Sequence, residues 1–325
     1  MKRRTFLAAA PLVAPSIAPA IVRAQAPWPS KTIRFICPFA PGGGTDTSSR
    51  LIADQLSRAL GQTVVVDNKS GAGGNIGTTD LARAAPDGYT LGLVSVASHT
   101  LNPMLYAKLP YDADKDIVVI SRIALLANLL GVTPSLPANN IPELIAFLKK
   151  EPGKYAFASS GPGTSLHLSG ELFKSMAGVD IVHVPYKGAG PAYNDLMSGT
   201  VHMMFANMPS MLPQVRGGKV KGLGVTSAER SKSAPELPAI AETLPGYVAT
   251  SWYGVGAPAG TPEPILARLE AILTEALTKP EIVDRFTGDL GIDMPPGGRK
   301  GLQAFIEEDR RRWEPAVRAS GVRFE

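Results

Sequence analysis

Four times in this chain an apolar run rich in β-branched or aromatic residues ends in a glycine-bearing loop that opens a segment of helical period. The loops are Phe39-Ala40-Pro41-Gly42-Gly43-Gly44-Thr45-Asp46, Gly71-Ala72-Gly73-Gly74-Asn75-Ile76-Gly77, Ser159-Ser160-Gly161-Pro162-Gly163-Thr164-Ser165 and Tyr186-Lys187-Gly188-Ala189-Gly190-Pro191. Side chains alternate across a strand but recur every 3.6 residues on a helix, so this rhythm confines the chain to an α/β fold with a helix-wound parallel sheet. Runs at 32–37, 63–66 and 89–96 predict strands. Ile52, Leu56 and Leu60 predict a helix between a cap at Thr45 or Asp46 and a stop at Gly61. The rhythm returns with helices at 142–149, 165–176 and 192–197 and strands at 155–158, 181–184, 201–205 and 220–225. A chain of 325 residues exceeds one core of ordinary size, so two α/β lobes are expected.

Beyond Pro262 the pattern is helical: Ile265, Leu269, Ile272, Leu273 and Leu277 share a face, and Phe305, Ile306 and Trp313 mark a terminal helix. These helices are expected to pack on the first lobe. That assigns residues 27–128 and 252–325 to lobe 1 and 129–251 to lobe 2, with the chain crossing between lobes near 126–132 and 249–256.

The first residues place Arg3-Arg4 ahead of an apolar run at 6–21, followed by small residues at Ala24 and Ala26. This predicts a cleaved twin-arginine-type leader over residues 1–26 and export to the periplasm. The run is too short, and too broken by Pro11, Pro15 and Pro19, to span a membrane. Cleavage also removes Lys2, Arg3, Arg4 and Arg23, four of the 33 basic residues, leaving 29 against 28 acidic ones. A net charge of +1 carries no argument for nucleic acid. The single cysteine, Cys37, permits no internal disulfide and reads as a buried strand residue.

Loops that leave strands for helices lie where ligands bind in wound sheets, and unpaired amides at a helix start attract anions. No Gly-Lys-Ser/Thr ending follows the first loop, and Ile76 occupies the third glycine place of a dinucleotide fingerprint in the second. No nucleotide or other cofactor is expected. His99, His167, His183 and His202 lack metal-ligand spacing, and Gly163-Thr164-Ser165-Leu166-His167 is not a nucleophile elbow. Met203, Met204, Met208 and Met211 read as core.

Ordered blocks along the mature chain resemble the substrate-binding proteins of tripartite tricarboxylate transporters, the group also called Bug proteins. They include Pro38-Phe39-Ala40-Pro41-Gly42-Gly43, Gly71 to Gly77, Ala84-Ala85-Pro86-Asp87-Gly88-Tyr89-Thr90-Leu91, Leu109-Pro110-Tyr111-Asp112, Val182-His183-Val184-Pro185-Tyr186-Lys187-Gly188 and Thr250-Ser251-Trp252-Tyr253-Gly254. The resemblance implies a type II periplasmic binding protein fold, two lobes closing on a ligand cleft without catalysis. It further implies a small organic carboxylate as ligand, integral membrane transporter subunits as partners and a monomer. Candidate ligand contacts are Phe39, Pro41, Gly42, Gly43, Gly44 and Asp46 in the first loop, Asn75 in the second, and Ser98 after the third strand. Ser160, Gly163, Thr164, Ser165 and His167, then Tyr186, and finally Ala206 and Asn207 complete the set. Asp46 reads as a helix cap as well as a ligand. Ala206 stands where relatives commonly carry aspartate, which argues against an ammonium-bearing ligand. A sensor subunit and a secreted α/β enzyme using the same cleft remain the alternatives.

Overall fold

The computed structural model describes residues 28–289, 291–293 and 297–325. The leader expected over 1–26 lies outside the described residues. The first half of the sheet is built from Ile33–Cys37 (β1), Gly44–Leu60 (α1), Val64–Asn68 (β2), Asn75–Ala82 (α2) and Thr90–Ser95 (β3). A π-helical turn Ala97–Leu101 and the short helix Asn102–Leu105 (α3) lead to the long strand Ile117–Val132 (β4). Then come Ile141–Leu148 (α4), Ala156–Ser159 (β5), Ser165–Ala177 (α5), Val182–Pro185 (β6), Ala189–Ser198 (α6), Met203–Asn207 (β7), Met208–Arg216 (α7) and Lys221–Val225 (β8). Thr250–Pro258 (β9), Glu263–Ala276 (α8), Pro280–Asp284 (α9), Ile292–Asp293 (β10), Gly297–Gly298 (β11) and Arg299–Ser320 (α10) finish the chain.

The strands run β2-β1-β3-β9-β4-β7-β5-β6, with β8, β10 and β11 also paired to β4. Within each half the outer strands pair in parallel, as helical crossovers require. The halves meet on β4 and β9, which are antiparallel. Residues Ile117 to Ala127 of β4 pair with β9, and from Asn128 onward β4 pairs with β7 and β8 instead. Asn128 pins this change of partner: it is fully buried, its amide donates to Thr226 Oγ1 at 2.8 Å, its Nδ2 donates to Ser169 Oγ at 3.0 Å and its Oδ1 accepts from Asn207 Nδ2 at 2.6 Å. A buried amide with every group satisfied is rigid, so the switch point is fixed.

One apolar cluster belongs to the first half, where Ile33, Phe35, Ile52, Leu56, Val255, Leu269 and Leu273 pack together. Another, in the second half, holds Ala158, Leu196, Met204, Met208 and Met211. A third crosses between halves. In it Leu302, Ile306, Trp313 and Val317 of α10 meet Phe157, Leu168 and Phe173 of the second half as well as Val94 and Trp252. The terminal helix therefore differs from the expectation of packing on the first lobe alone, because its apolar stripe is long enough to cover the groove where both halves join. Beyond it the chain end ties in too: the Phe324 amide donates to Leu105 O at 2.9 Å, and its ring lies 4.6 Å from that of Tyr106 and 6.4 Å from that of His167.

Asp309 anchors α10. Fully buried, it accepts from Thr100 Oγ1 and Trp252 Nε1, each at 2.8 Å, and pairs with Arg312. Asp309→Asn keeps the shape but turns a donor toward a cation. A loss of about 1–2 kcal/mol is expected, read as a lower urea midpoint at unchanged slope.

Candidate functional site

The starts of several helices converge on one small cavity between the halves. Its wall is Phe39, Gly44 and Thr45 from the opening of α1, Ser95, Val96 and Ala97 at the π-helical turn, Ser160, Thr164, Ser165 and Leu166 at the opening of α5, Ala189 at α6, Asn207 before α7, and Ser251 and Tyr253 on β9. The first N–H groups of a helix lack intrahelical acceptors and sit at the positive end of its dipole. No lining side chain carries a formal charge. The arrangement offers hydrogen-bond donors and positive dipole ends without a cation, suited to an oxygen-rich anion.

The cavity is about 20 Å³, room for roughly one water. The halves are closed on each other, and the glycine loops make the contact. The Ala40 amide donates to Lys187 O at 3.2 Å. A Cβ placed on Gly190 would lie 2.0 Å from Pro41 O, and one on Gly73 would lie 2.0 Å from Pro162 O. Thus the first loop meets the fourth and the second meets the third. Glycine is required there for loop-to-loop approach.

Of the residues singled out from sequence, Phe39, Gly44, Ser160, Thr164, Ser165 and Asn207 line the cavity. Pro41, Gly42 and Gly43 stand on its rim against Ala189 and Gly190. The others are placed elsewhere. Asp46 accepts from Gly42 N, Arg50 and Asn68, so its oxygens are committed within the first lobe. Burial alone would raise its pKa, but the hydrogen bonds from Arg50, Gly42 and Asn68 prevail and hold it below the usual range. Asn75 Oδ1 accepts from Asn102 and Tyr111, Ser98 Oγ bonds to the Ser95 backbone and His99 Nδ1, and Gly163 backs onto Asn102. Tyr186 donates to Asp195; burial, reinforced by that carboxylate, pushes its phenol up to about 12.

Ala206, expected as a ligand contact, is not part of the cavity wall. It lies inside β7, paired with Leu129, fully buried in the apolar cluster behind the cavity wall, because the ladder to β4 runs on through Asn207. His167 and His183, sixteen residues apart in sequence, come together as stacked rings with centroids 3.9 Å apart. His183 Nε2 lies 2.6 Å from Ser159 Oγ, the spacing of a nucleophile and its base. Yet Ser159 is fully buried and faces Gly161 rather than the cavity, and burial, then the Lys174 charge, brings His183 down to about 4.

Tyr253, Ser251, Thr45, Ser95, Val96, Ala97, Leu166 and Ala189 line the cavity without having been expected as ligand contacts. Strand alternation was the signal for two of them: Ser251 and Tyr253 are two apart on β9 and share a face, while Trp252 turns to α10. A larger hollow of about 770 Å³ lies outside, between α8 and the start of α10, where Arg299 engages Glu263 and Glu270.

Comparison with known proteins converges on one family. The family described as tripartite tricarboxylate transporter family receptor matches residues 48–322. Protein BugT of Bordetella pertussis is 38% identical over 301 residues, covering 91% of each chain. The solved structure of R. palustris Rpa4515 with adipate has a TM-score of 0.89 at 36% identity, covering 92% of this chain and all of that one. MatC from Rhodopseudomonas palustris with bound malate gives 0.84 at 34%, covering 89% of this chain and all of that one. Fold, motif order and matched length agree, and the chain belongs to the tripartite tricarboxylate transporter receptor family.

Proposed function

We propose that this protein is an exported receptor that closes on a small organic carboxylate lacking an ammonium group and presents it to the membrane subunits of a tripartite transporter. The observation that carries the reading is a cavity walled by helix starts and hydroxyls with no charged side chain. A carboxylate is served there by amide dipoles, whereas an ammonium would meet positive ends and no carboxylate. Two of the similar solved structures hold adipate and malate, acids that fit this description. Binding rather than turnover is supported by the wall itself, which offers no histidine, carboxylate, lysine or cysteine as a general acid or base. Among the described residues no helix is long and apolar enough to cross a membrane. The twin-arginine leader and periplasmic location complete the proposal.

The test is titration calorimetry with matched pairs: malate against aspartate, succinate against aspartate, adipate against 2-aminoadipate. The plain acids are expected to bind at least roughly tenfold more tightly, since an unpaired buried charge costs about 1–3 kcal/mol or more. A preference for the amino acids would overturn the reading.

A further inference from the structure

We infer that the Tyr253 hydroxyl is a ligand-binding group, donating a hydrogen bond to a carboxylate oxygen seated at the start of α1. This rests on the proposal that the cleft takes a carboxylate. Tyr253 is 1% exposed, yet its hydroxyl has no hydrogen-bond partner among the described residues. Buried tyrosine hydroxyls ordinarily find one. The side chain stands on β9 with Ser251, and both line the cavity.

Its place is fixed by Gly44. A Cβ on that glycine would lie 3.2 Å from the Tyr253 hydroxyl and 3.1 Å from Asn207 Cβ, so the hydroxyl rests against the first residue of α1. The polar side chains around it are already engaged: Asn207 Nδ2 with Asn128 Oδ1 at 2.6 Å, and the Tyr193 hydroxyl with Ser210 Oγ at 2.6 Å. Burial keeps the phenol protonated far above neutral pH, so it remains a donor. An unmet donor beside unpaired helix amides makes one converging set, with the hydroxyl from β9 and the amides from α1. A carboxylate oxygen satisfies both, while an alkyl end would leave the hydroxyl unmet when the cleft is closed. The sequence blocks that mark the first loop say nothing of this contact, because its donor comes from a strand more than two hundred residues away.

Tyr253→Phe separates a ligand role from a structural one by the signs of two measurements. Thermal unfolding of the ligand-free protein should be unchanged or shifted upward, since the variant deletes a hydroxyl that has no partner among the described residues. Affinity for the acid that the unmodified protein binds best should fall by roughly tenfold or more, as expected for a lost hydrogen bond to a charged group. Ser251→Ala, on the same face of β9, serves as a second variant and should keep the unfolding temperature. Unchanged affinity in Tyr253→Phe would overturn the inference. So would a lower unfolding temperature without ligand, which would make the hydroxyl a structural partner. If the unmodified protein binds none of the acids tested, the carboxylate reading itself fails and this inference falls with it.

Discussion

Gly190→Ala is expected to weaken ligand binding by about 100-fold or more while leaving the fold intact. The added Cβ would sit 2.0 Å from the Pro41 carbonyl oxygen, a backbone atom that cannot rotate away. Gly190 is the second residue of α6, where alanine suits the backbone better than glycine, so the second lobe loses nothing locally. The conflict exists only when the first and fourth loops meet. A change that penalises the closed state and spares the open one shifts the equilibrium away from the state that binds, and roughly 100-fold corresponds to about 2.7 kcal/mol. Solution scattering with saturating acid should show the unmodified protein contracting and the variant remaining expanded. Gly301→Ala, a position with nothing within 4 Å of a Cβ, should bind normally. Affinity within threefold of the parent would mean that the ligand-bound protein does not use this loop contact.

Lowering the pH from 7.5 to 5 is expected to cost the protein a large part of its folding free energy. Burial brings His99 down to about 4. For His167 burial, aided by the adjacent His183, gives about 3, and His183 itself falls to about 4. Unfolded histidine titrates near 6.5, so from there downward the unfolded chain takes up protons that the folded one refuses. The stability is therefore complete above pH 6.5 and lost progressively toward pH 4. At about 1.36 kcal/mol per pH unit, His99 and His167 should each remove about 2 kcal/mol by pH 5, and half-buried His183 less. Burial raises Glu171 and Asp309, which bind their protons earlier in the folded state and offset part of this. The remainder is still a sizeable share of an ordinary folding free energy. Urea midpoints across that range measure it. A constant midpoint would show that the folded protein accommodates the imidazolium charges.

Local signals placed most elements in the sequence. Apolar runs closed by glycine or proline marked β1, β3 and β5 to within a residue or two, and helical spacing marked α1, α4 and α5. What escaped depends on distant partners. β7 runs two residues past its expected end because the ladder with β4 continues through Ala206 and Asn207, and this turns Ala206 inward. The change of partners along β4 is marked in its sequence only by Asn128, and the residues that hold it, Ser169, Asn207 and Thr226, lie far away along the chain. In the site, reasoning from loops found the openings of α1 and α5, since glycine followed by a cap residue is visible in one dimension. It passed over Tyr253 and Ser251, which reach the cavity from the middle of a strand, and over the meeting of His167 with His183.

The bridging position of α10 bears on how this chain becomes a folded object during synthesis. Phe157, Phe173 and Trp252 emerge well before Leu302, Ile306, Trp313 and Val317, the side chains that cover them. Until residues past Arg299 have left the ribosome, neither half can close its apolar surface, however complete its own strands are. Cooperative folding then begins only with a nearly whole chain, after a long interval in which that surface stays open to chaperones or to other nascent chains.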